Sequence, residues 1–334
     1  MHEKIAGCLF GMAFGDALGA HTEFLKIGAI LDKFPPNGPQ DLIGNPAEVT
    51  DDTQMAIAVG DALLAAERPF TPENLEKELR RTFIEWYDDP RNDRAPGMTC
   101  LGSTERLMKF INWQDASNIS SKGCGANMRV QPVGLLPVSD TERAGIAQLQ
   151  AALTHGHATA LAAADLTAWT IHHLLTANDV SDLIYEARAY AGSQRQTYHD
   201  NWLGNLSERA YQFPTSQDFI RYGWDECIAL FGKVEKALAQ NDPTYDPCKL
   251  VGAAWIAEEA YATALYCFLL YPDDPVAVVR KAALTSGDSD SIACIAGAFA
   301  GAYKGLNAYP TDWLERIEYR TELDTIVDGL VAMW

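Results

Sequence analysis

Two long stretches of the chain are apolar at nearly every position, and they restrict its fold more than any other feature. They span residues 251–270 and 290–304 and have almost no polar face. A helix that is apolar on most sides must also be buried on most sides. Runs in which β-branched and polar residues alternate, the usual sign of strands, do not occur in the sequence. The pattern therefore predicts an all-α fold around a large core.

Further helices are predicted from start signals and apolar spacing. At residues 71–73 a threonine, a proline and a glutamate form a typical helix start. The alanine-rich stretch 143–177 predicts helical structure with a break at Gly156. After the first of these starts, four apolar residues follow at helical spacing: Leu75, Leu79, Phe83 and Trp86.

Proline and glycine are concentrated between the helical segments, in three stretches at residues 34–49, 88–99 and 118–127. None of these stretches has the composition of a flexible linker, and the sequence has no internal repeat. We therefore expect a single domain over residues 1–334. Its long loops are expected to carry function, as long loops in compact helical proteins tend to do.

The chain is strongly acidic, with 26 lysines and arginines against 45 aspartates and glutamates, which gives a formal charge of −19. Electrostatic repulsion argues against nucleic acid or an anionic membrane surface as a partner. It does not argue against a phosphorylated ligand, because a bound divalent cation can reverse the local charge.

The cysteines and the N-terminal segment predict a cytoplasmic protein. Seven cysteines are scattered without a C-x-x-C pair, which is typical of reduced thiols in the cytosol. Residues 5–14 are apolar, but Glu3 precedes them and Asp16 follows, so a buried helix is favoured over a secretion signal. No stretch reaches the roughly 18 uninterrupted apolar residues that a membrane span needs.

Two acidic motifs each come directly before a strongly apolar helix. Residues 49–53 read VTDDT and residues 285–291 read TSGDSDS. One interpretation is helix capping, because Asp and Thr are favoured N-caps and acids in the first turn complement the helix dipole. The second motif lacks the remaining ligands of a helix–loop–helix calcium site. Capping accounts for some of these acids, but not for two matched sets of carboxylates and hydroxyls.

The other interpretation is a site for divalent cations. Mg²⁺ and Mn²⁺ prefer oxygen ligands, and four carboxylates brought together without cations would repel one another strongly. Small residues at Gly297, Gly301 and Gly305 predict close helix packing, which would bring another helix start near the second motif. The candidate ligands are Thr50, Asp51, Asp52, Asp288, Asp290 and Ser291.

Five segments together resemble the ADP-ribosylglycohydrolase family and occur in that family's order. They lie between residues 5 and 305, so the resemblance covers nearly the whole chain. It implies the family's compact single-domain bundle of orthogonally packed helices and the hydrolysis of ADP-ribosyl linkages. The segments are 11–23 (GMAFGDALGAHTE), 49–55 (VTDDTQM), 123–129 (GCGANMR), 153–157 (LTHGH) and 287–297 (GDSDSIACIAG).

The resemblance also implies roles for individual residues. Two Mg²⁺ (or Mn²⁺) ions would be held by the six candidate ligands, with Asp51, Asp52 and Glu23 as the catalytic carboxylates. The substrate would be an ADP-ribosylated protein and the product ADP-ribose. We expect a monomer. Substrate contacts are implied for Gly97, Gly123, Cys124, Gly125, Asn127, Met128 and His155.

Two segments and one residue favour the branch of the family that cleaves ADP-ribose from arginine. Residues 93–97 (DRAPG) and 314–320 (LERIEYR) resemble segments of the arginine-specific hydrolases, and Ser291 ends the second motif as in that branch. The relative that reactivates dinitrogenase reductase has an aspartate where Ala95 aligns, and whether Asp93 replaces it is left open. Action of the same fold on serine-linked or other O-linked ADP-ribose is the alternative.

Interpretations of other classes are weaker. All-α prenyl or terpene synthases also use aspartate-rich metal motifs, but the first motif lacks their usual third acid and the glycine-rich segment would be unexplained. A catalytically silent ADP-ribose-binding or structural relative would be expected to lose metal ligands, and here every motif acid is present. Core packing is predicted for four aromatic residues: Trp255, Tyr261, Tyr266 and Phe268.

Overall fold

The computed structural model describes residues 1–240, 242 and 244–334. These residues form eighteen α-helices and three short 3₁₀-helices, with no strand among them, so the all-α prediction is confirmed. The α-helices are α1 (His2–Gly19), α2 (Ile27–Lys33), α3 (Asp51–Ala65), α4 (Pro72–Asp88), α5 (Met98–Leu107), α6 (Trp113–Ala116), α7 (Gln131–Gly134), α8 (Asp140–Ala152), α9 (Ala158–Thr176), α10 (Leu183–Gln194), α11 (Asp200–Leu203), α12 (Ser216–Gln240), α13 (Pro247–Leu250), α14 (Ala257–Leu270), α15 (Pro275–Ala283), α16 (Ser289–Lys304), α17 (Thr311–Arg316) and α18 (Arg320–Val331). The 3₁₀-helices are Cys124–Ala126, Leu206–Arg209 and Leu306–Ala308.

Local signals place helix ends where the sequence predicts them. At the start of α4, Thr71 Oγ1 accepts a hydrogen bond from the backbone N–H of Asn74, and Asn74 Oδ1 accepts one from the N–H of Thr71. Such a reciprocal cap satisfies two N–H groups that have no partner inside the helix. The predicted break at Gly156 is confirmed, because it lies between the end of α8 and the start of α9. The predicted apolar face of α4 is buried at Leu75, Leu79, Phe83 and Trp86.

The centre of the fold is a close antiparallel contact between α1 and α16. A Cβ atom on Gly7, Gly11 or Gly15 of α1 would lie within 2.5 Å of a backbone oxygen of α16. A Cβ on Gly297 or Gly301 would collide equally with the backbone of α1. Only glycine lets two helix backbones approach this closely. The contact confirms the close packing predicted for the small-residue stripe and sets the end of α1 beside the start of α16.

Of the helix predicted over residues 251–270, only the part that forms α14 is helical. The six residues before α14 form an irregular segment, because their backbone groups bond to other parts of the chain. The carbonyl oxygen of Ala253 accepts a hydrogen bond from the N–H of Asp288 at 2.9 Å, and that of Trp255 accepts one from the N–H of Cys124 at 3.2 Å. Both donors are distant in sequence, so the apolar pattern alone cannot reveal these contacts.

Buried apolar side chains from most of the helices pack into one core cluster. Every residue of α1 from Ile5 onward is buried, which confirms a buried helix at this position. All seven cysteines lie in the described part of the chain as free thiols, and six of them are buried. Among the helices that the structure describes, none is long and apolar enough to cross a membrane. The assignment of residues 1–334 to a single domain stays a prediction.

Candidate active site

The two acidic motifs meet at one end of the α1–α16 pair. Asp51 and Asp52 begin α3, while Asp288 is the N-cap of α16 and Asp290 lies in its first turn. Glu23 follows the end of α1 by four residues. One carboxylate oxygen each of Glu23, Asp288 and Asp290 lie within 4.8 Å of one another. We call these five carboxylates the acid wall.

Asp16 in α1 organises the start of α3. This fully buried carboxylate accepts hydrogen bonds from the N–H groups of Thr50 and Thr53 at 3.0 and 3.1 Å. The hydroxyls of the same two threonines donate to it at 2.7 and 2.5 Å. Thr50 Oγ1 also accepts from the N–H of Asp52 at 3.3 Å and so caps α3. Asp16 is therefore a buried acid whose hydrogen bonds fix the first motif against α1.

The acid wall borders a cleft with a volume of about 330 Å³. The cleft is also lined by residues 123–125 and His155, which we call the neutral wall, and by residues 95–97 of the loop between α4 and α5. The predicted site residues that line it are Glu23, Asp51, Asp52, Gly97, Gly123, Cys124, Gly125, Met128, His155, Asp288, Asp290 and Ser291. Residues that the sequence places far apart are thus brought together in one cavity.

Two predicted site residues, Thr50 and Asn127, do not line this cleft. The hydroxyl of Thr50 bonds to Asp16 and to the N–H of Asp52. Asn127 is fully buried, and its side-chain amide donates to the carbonyl oxygen of Ala257 at 3.1 Å. Both side chains hold backbone segments that lead into the cleft.

The acid wall has no cationic side chain against it. Within the described chain, no lysine or arginine nitrogen lies within 4.0 Å of its carboxylate oxygens. Asp52 Oδ2 is buried and has no hydrogen-bond partner among the residues that the structure describes. Burial, reinforced by neighbouring carboxylates, raises the pKa of Asp51 to about 8 and that of Glu23 to about 9. Burial likewise raises the pKa values of Asp52, Asp288 and Asp290. Their charged forms require compensation that the protein itself does not provide.

The neutral wall is tightly packed. A Cβ atom on Gly125 would lie 2.6 Å from Cys100 Sγ and 2.9 Å from His155 Cε1, so no side chain fits there. At Gly123 the nearest atom to such a Cβ would be His155 Nε2 at 3.4 Å, which is ordinary contact. The glycine at position 125 is thus required by a close approach, whereas the one at position 123 is not.

His155 is a buried, neutral member of this wall. Its Nδ1 atom lies 2.8 Å from Thr154 Oγ1. Burial, with a further contribution from the positive charge of Arg129, lowers the pKa of His155 to about 3. The ring is therefore uncharged near neutral pH and offers the cleft a polar group without charge.

A comparison with protein families agrees with the order of the five motif segments and with the geometry of the cleft. The profile of the ADP-ribosylglycohydrolase family matches residues 1–334. The chain belongs to the ADP-ribosylglycohydrolase family. As a member of this family it is a hydrolase that acts on ADP-ribosylated substrates and releases ADP-ribose.

Two relatives and one solved structure cover almost all of this ADP-ribosylglycohydrolase. ADP-ribosyl-[dinitrogen reductase] glycohydrolase of Rhodospirillum rubrum is 25% identical, over 100% of this chain and 97% of that protein. ADP-ribosylhydrolase ARH3 of Bos taurus is 27% identical, over 98% and 92%. A structure described as an ADP-ribosylglycohydrolase-related protein complex has a TM-score of 0.72 at 23% identity, over 99% and 98%, which supports the fold alone.

Two aromatic residues that were not predicted as site residues line the cleft of this ADP-ribosylglycohydrolase. Phe24 and Trp255 line it with exposed side chains, and their rings stack with centroids 5.4 Å apart. The core packing predicted for Trp255 is wrong, because this residue lies in the irregular segment before α14 and is 43% exposed. The only available signal for Phe24 was its position next to Glu23. Core packing is confirmed for Tyr261, Tyr266 and Phe268.

The two segments that favour the arginine branch contact each other. The guanidinium of Arg94 pairs with the carboxylate of Glu318, with Nη2 2.9 Å from Oε1. Both side chains also bond to the backbone of Val49, Arg94 to its carbonyl oxygen and Glu318 to its N–H. The pair therefore fixes the residue that leads into the first acidic motif. Asp93 has a 78% exposed side chain and does not line the cleft.

Proposed function

We propose that this protein is a metal-dependent hydrolase that removes ADP-ribose from modified arginine side chains of proteins. The observation that carries the proposal is the meeting of the acid wall and the neutral wall in one cleft. The cleft's volume of about 330 Å³ is in the range of sites for small ligands. One side of such a site would carry cations and the other would hold the uncharged and phosphate-bearing parts of the ligand.

The acid wall fits two Mg²⁺ (or Mn²⁺) ions by the chemistry of its donors. Both ions prefer hard oxygen ligands, and the buried Asp52 Oδ2 without a partner is the kind of atom that a cation satisfies. When bound, such ions orient the distal ribose hydroxyls and lower the pKa of water. Thr50 would contribute through its hydroxyl oxygen or its backbone oxygen. The proposed ligands are Thr50, Asp51, Asp52, Asp288, Asp290 and Ser291.

The proposed reaction cleaves the bond between ribose C1″ and a guanidinium nitrogen. The oxygen of water bonds to C1″, and the C1″–N bond breaks with its electron pair left on nitrogen. That electron pair neutralises the guanidinium, which leaves as neutral guanidine, while the water loses a proton that the released guanidine takes up. A carboxylate that can hold a proton near neutral pH performs such transfers. We assign this role to Asp51 or Asp52, with Glu23 as the second candidate.

The neutral wall would bind the rest of ADP-ribose. Glycines at positions 123 and 125 would let backbone N–H groups approach a diphosphate without an intervening Cβ. His155 would add an uncharged polar contact. Asn127 would act indirectly, through its bond to Ala257. The proposed direct contacts are Gly97, Gly123, Cys124, Gly125, Met128 and His155.

The choice of arginine as the modified residue rests on the segments around Arg94 and Glu318 and on Ser291. O-linked ADP-ribose, such as that on serine, is the second candidate. It is retained because the chain is as similar to ADP-ribosylhydrolase ARH3 as to the dinitrogen reductase glycohydrolase. Overall identity therefore does not decide between linkages.

The proposal is tested by assaying ADP-ribose release from matched arginine-linked and serine-linked peptides, with Mg²⁺ and with a chelator. We expect release from the arginine-linked peptide that the chelator abolishes. Release only from the serine-linked peptide would replace the proposed linkage, and unchanged release in chelator would refute metal dependence. Binding of ADP-ribose without turnover of either peptide would indicate a silent relative. A cytoplasmic location and a monomeric state stay predictions.

A further inference from the structure

Arg129 is a buried cation next to the neutral wall, and it has an unusual set of partners. Its side chain is fully buried and lies over the ring of Phe83, with 4.3 Å from Cζ to the ring centroid. Its Nε donates to Gln150 Oε1 at 2.9 Å, and its Nη2 donates to the Gln150 carbonyl oxygen at 2.7 Å and to Thr154 Oγ1 at 2.8 Å. Among the described residues, no carboxylate forms an ion pair with it. Its hydrogen bonds are therefore made to neutral groups, of which Thr154 is one.

The contact with Arg129 determines how Thr154 can use its hydroxyl. A guanidinium has donors and no acceptor, so Thr154 Oγ1 must accept at this contact. Its own proton is then left for another neighbour. The two choices are His155 Nδ1 at 2.8 Å and the carbonyl oxygen of Ala151 at 3.4 Å. The contact with Nδ1 is short enough for a hydrogen bond in either direction, whichever tautomer the ring adopts.

The nearby positive charge of Arg129 favours donation from the Thr154 hydroxyl to Nδ1. A neutral imidazole carries a lone pair on one ring nitrogen and a proton on the other. The positive charge of Arg129 favours the tautomer whose lone pair, on Nδ1, faces it. The proton then resides on Nε2, which lies 3.4 Å from the position that a Cβ on Gly123 would occupy. Within the described chain Nε2 has no hydrogen-bond partner, and His155 lines the cleft.

We propose that Arg129 and Thr154 are positioning residues that hold His155 as the Nε2–H tautomer, so that a neutral ring donates a hydrogen bond to an oxygen of the bound ligand. This inference rests on the proposed function, because it takes the cleft to be the ADP-ribose site. A phosphate oxygen or a ribose oxygen has the acceptor chemistry that this donor requires. The fixed tautomer would reject ligand groups that offer only a donor at this point.

Nitrogen NMR of the full-length protein, labelled at the histidine ring nitrogens, tests the tautomer directly. His155→Gln identifies the signals of His155 by their loss. We expect the Nε2–H pattern in the unmodified protein and in Thr154→Ser, which keeps the hydroxyl. Thr154→Val keeps the shape but removes the hydroxyl, and it should shift His155 toward the Nδ1–H form or a mixture. An Nδ1–H ring in the unmodified protein would overturn the proposal even if Thr154→Val fails to fold.

Ligand binding supplies the second readout, with ADP-ribose as the probe in calorimetry. Thr154→Val should weaken ADP-ribose binding by about five- to tenfold, the loss of about one hydrogen bond, while Thr154→Ser should not. In turnover assays the same change should appear mainly in KM, because a contact made equally to substrate and transition state leaves kcat unchanged. Unchanged affinity in a Thr154→Val protein whose tautomer has shifted would refute the ligand contact. Failure of the proposed linkage would leave the NMR and calorimetric results unaffected, so the two failures are distinguishable.

Discussion

The acid wall and the neutral wall share one cleft but differ in how their polar groups are satisfied. In the neutral wall, His155 is supported by Thr154, which in turn bonds to Arg129. In the acid wall, Asp52 has an oxygen without a partner in the described part of the chain, and Asp51 accepts one long hydrogen bond of 3.4 Å from the N–H of Gly97. Buried polar groups are normally paired, so the unpartnered oxygen of Asp52 indicates that the acid wall takes an external partner.

Asp16 shows that this difference is not a general property of buried acids in the molecule. Its carboxylate also lies beside the first motif, but it accepts bonds from both the backbone and the hydroxyls of Thr50 and Thr53. The burial of an acid is therefore not what marks the site. The scarcity of donors at Asp51 and Asp52 among the described residues is the feature that indicates cations.

The largest effect is expected from neutralising one carboxylate of the acid wall. Loss of an outer-shell partner of a metal ligand typically costs 10–100-fold in activity or affinity, so Asp288→Asn, which removes a ligand, should lower kcat/KM at least about 100-fold. Asp274→Asn is the control, because Asp274 also occupies the N-cap position of a helix, α15, but does not line the cleft. Steady-state release of ADP-ribose is the measurement. Equal activity of the two variants would remove Asp288 from the site.

Divalent cations should stabilise the folded protein, and more so at higher pH. Because the folded pKa values of Asp51 and Glu23 are raised to about 8 and about 9, the metal-free folded state binds protons that the unfolded chain does not. Its stability therefore falls as pH rises from about 4 to about 9. A saturating cation, worth about 2.7 kcal/mol at 100 times its Kd, should offset that fall.

Thermal melting with and without Mg²⁺, at about pH 6 and about pH 8, measures this effect. The rise in Tm on adding Mg²⁺ should be larger at the higher pH and should be lost in Asp288→Asn. A Tm that does not respond to Mg²⁺ at either pH would mean that the acid wall is compensated in another way.

Removing charge from Asp16 and from Asp52 should have opposite effects on stability. Asp16→Asn places an amide N–H₂ against N–H and O–H donors and should lower the free energy of unfolding by about 2 kcal/mol. Asp52→Asn in the metal-free protein removes one of several repelling charges and should leave that free energy unchanged or higher. Chemical denaturation in chelator compares them. A loss of stability in both variants would show that the two kinds of buried acid do not differ.

Among these changes, the smallest effect on stability and ligand binding is expected from a substitution in the neutral wall. Gly125→Ala forces a methyl group against Cys100 and His155, and overpacking of this kind should cost about 1–2 kcal/mol of stability and weaken ADP-ribose binding. Gly123→Ala is the matched control in the same segment, because its Cβ meets only ordinary contact. Denaturation and calorimetry report the two effects. A larger loss of stability or of ADP-ribose affinity in Gly123→Ala than in Gly125→Ala would contradict the close approach assigned to Gly125.

Sequence reasoning predicts the helices whose signals are local and the acids whose motifs are continuous. The capping box at Thr71 and the glycine stripe of α16 both lead directly to observed structure. What it misses depends on contacts between distant segments. The apolar run before α14 gives no sign that Trp255 is held out of the helix, because the partner, Cys124, is about 130 residues away.

The roles of Thr50 and Asn127 illustrate the same limit. Both occur in the motifs that resemble the family, so sequence reasoning places them in the site. Their side chains instead bond to Asp16 and to the backbone of Ala257. A residue type shows what chemistry is possible at a position, whereas the fold decides whether the side chain faces the ligand or the backbone.

Two divalent cations at the acid wall are what the proposed function requires above all. A crystal soaked in Mn²⁺ and measured at the manganese absorption edge tests this directly, because anomalous scattering locates the ions independently of activity. We predict two anomalous peaks among the carboxylates of Asp51, Asp52, Asp288 and Asp290, and the loss of at least one in Asp288→Asn. No peak at the acid wall, with Mn²⁺ bound elsewhere or not at all, would contradict the account.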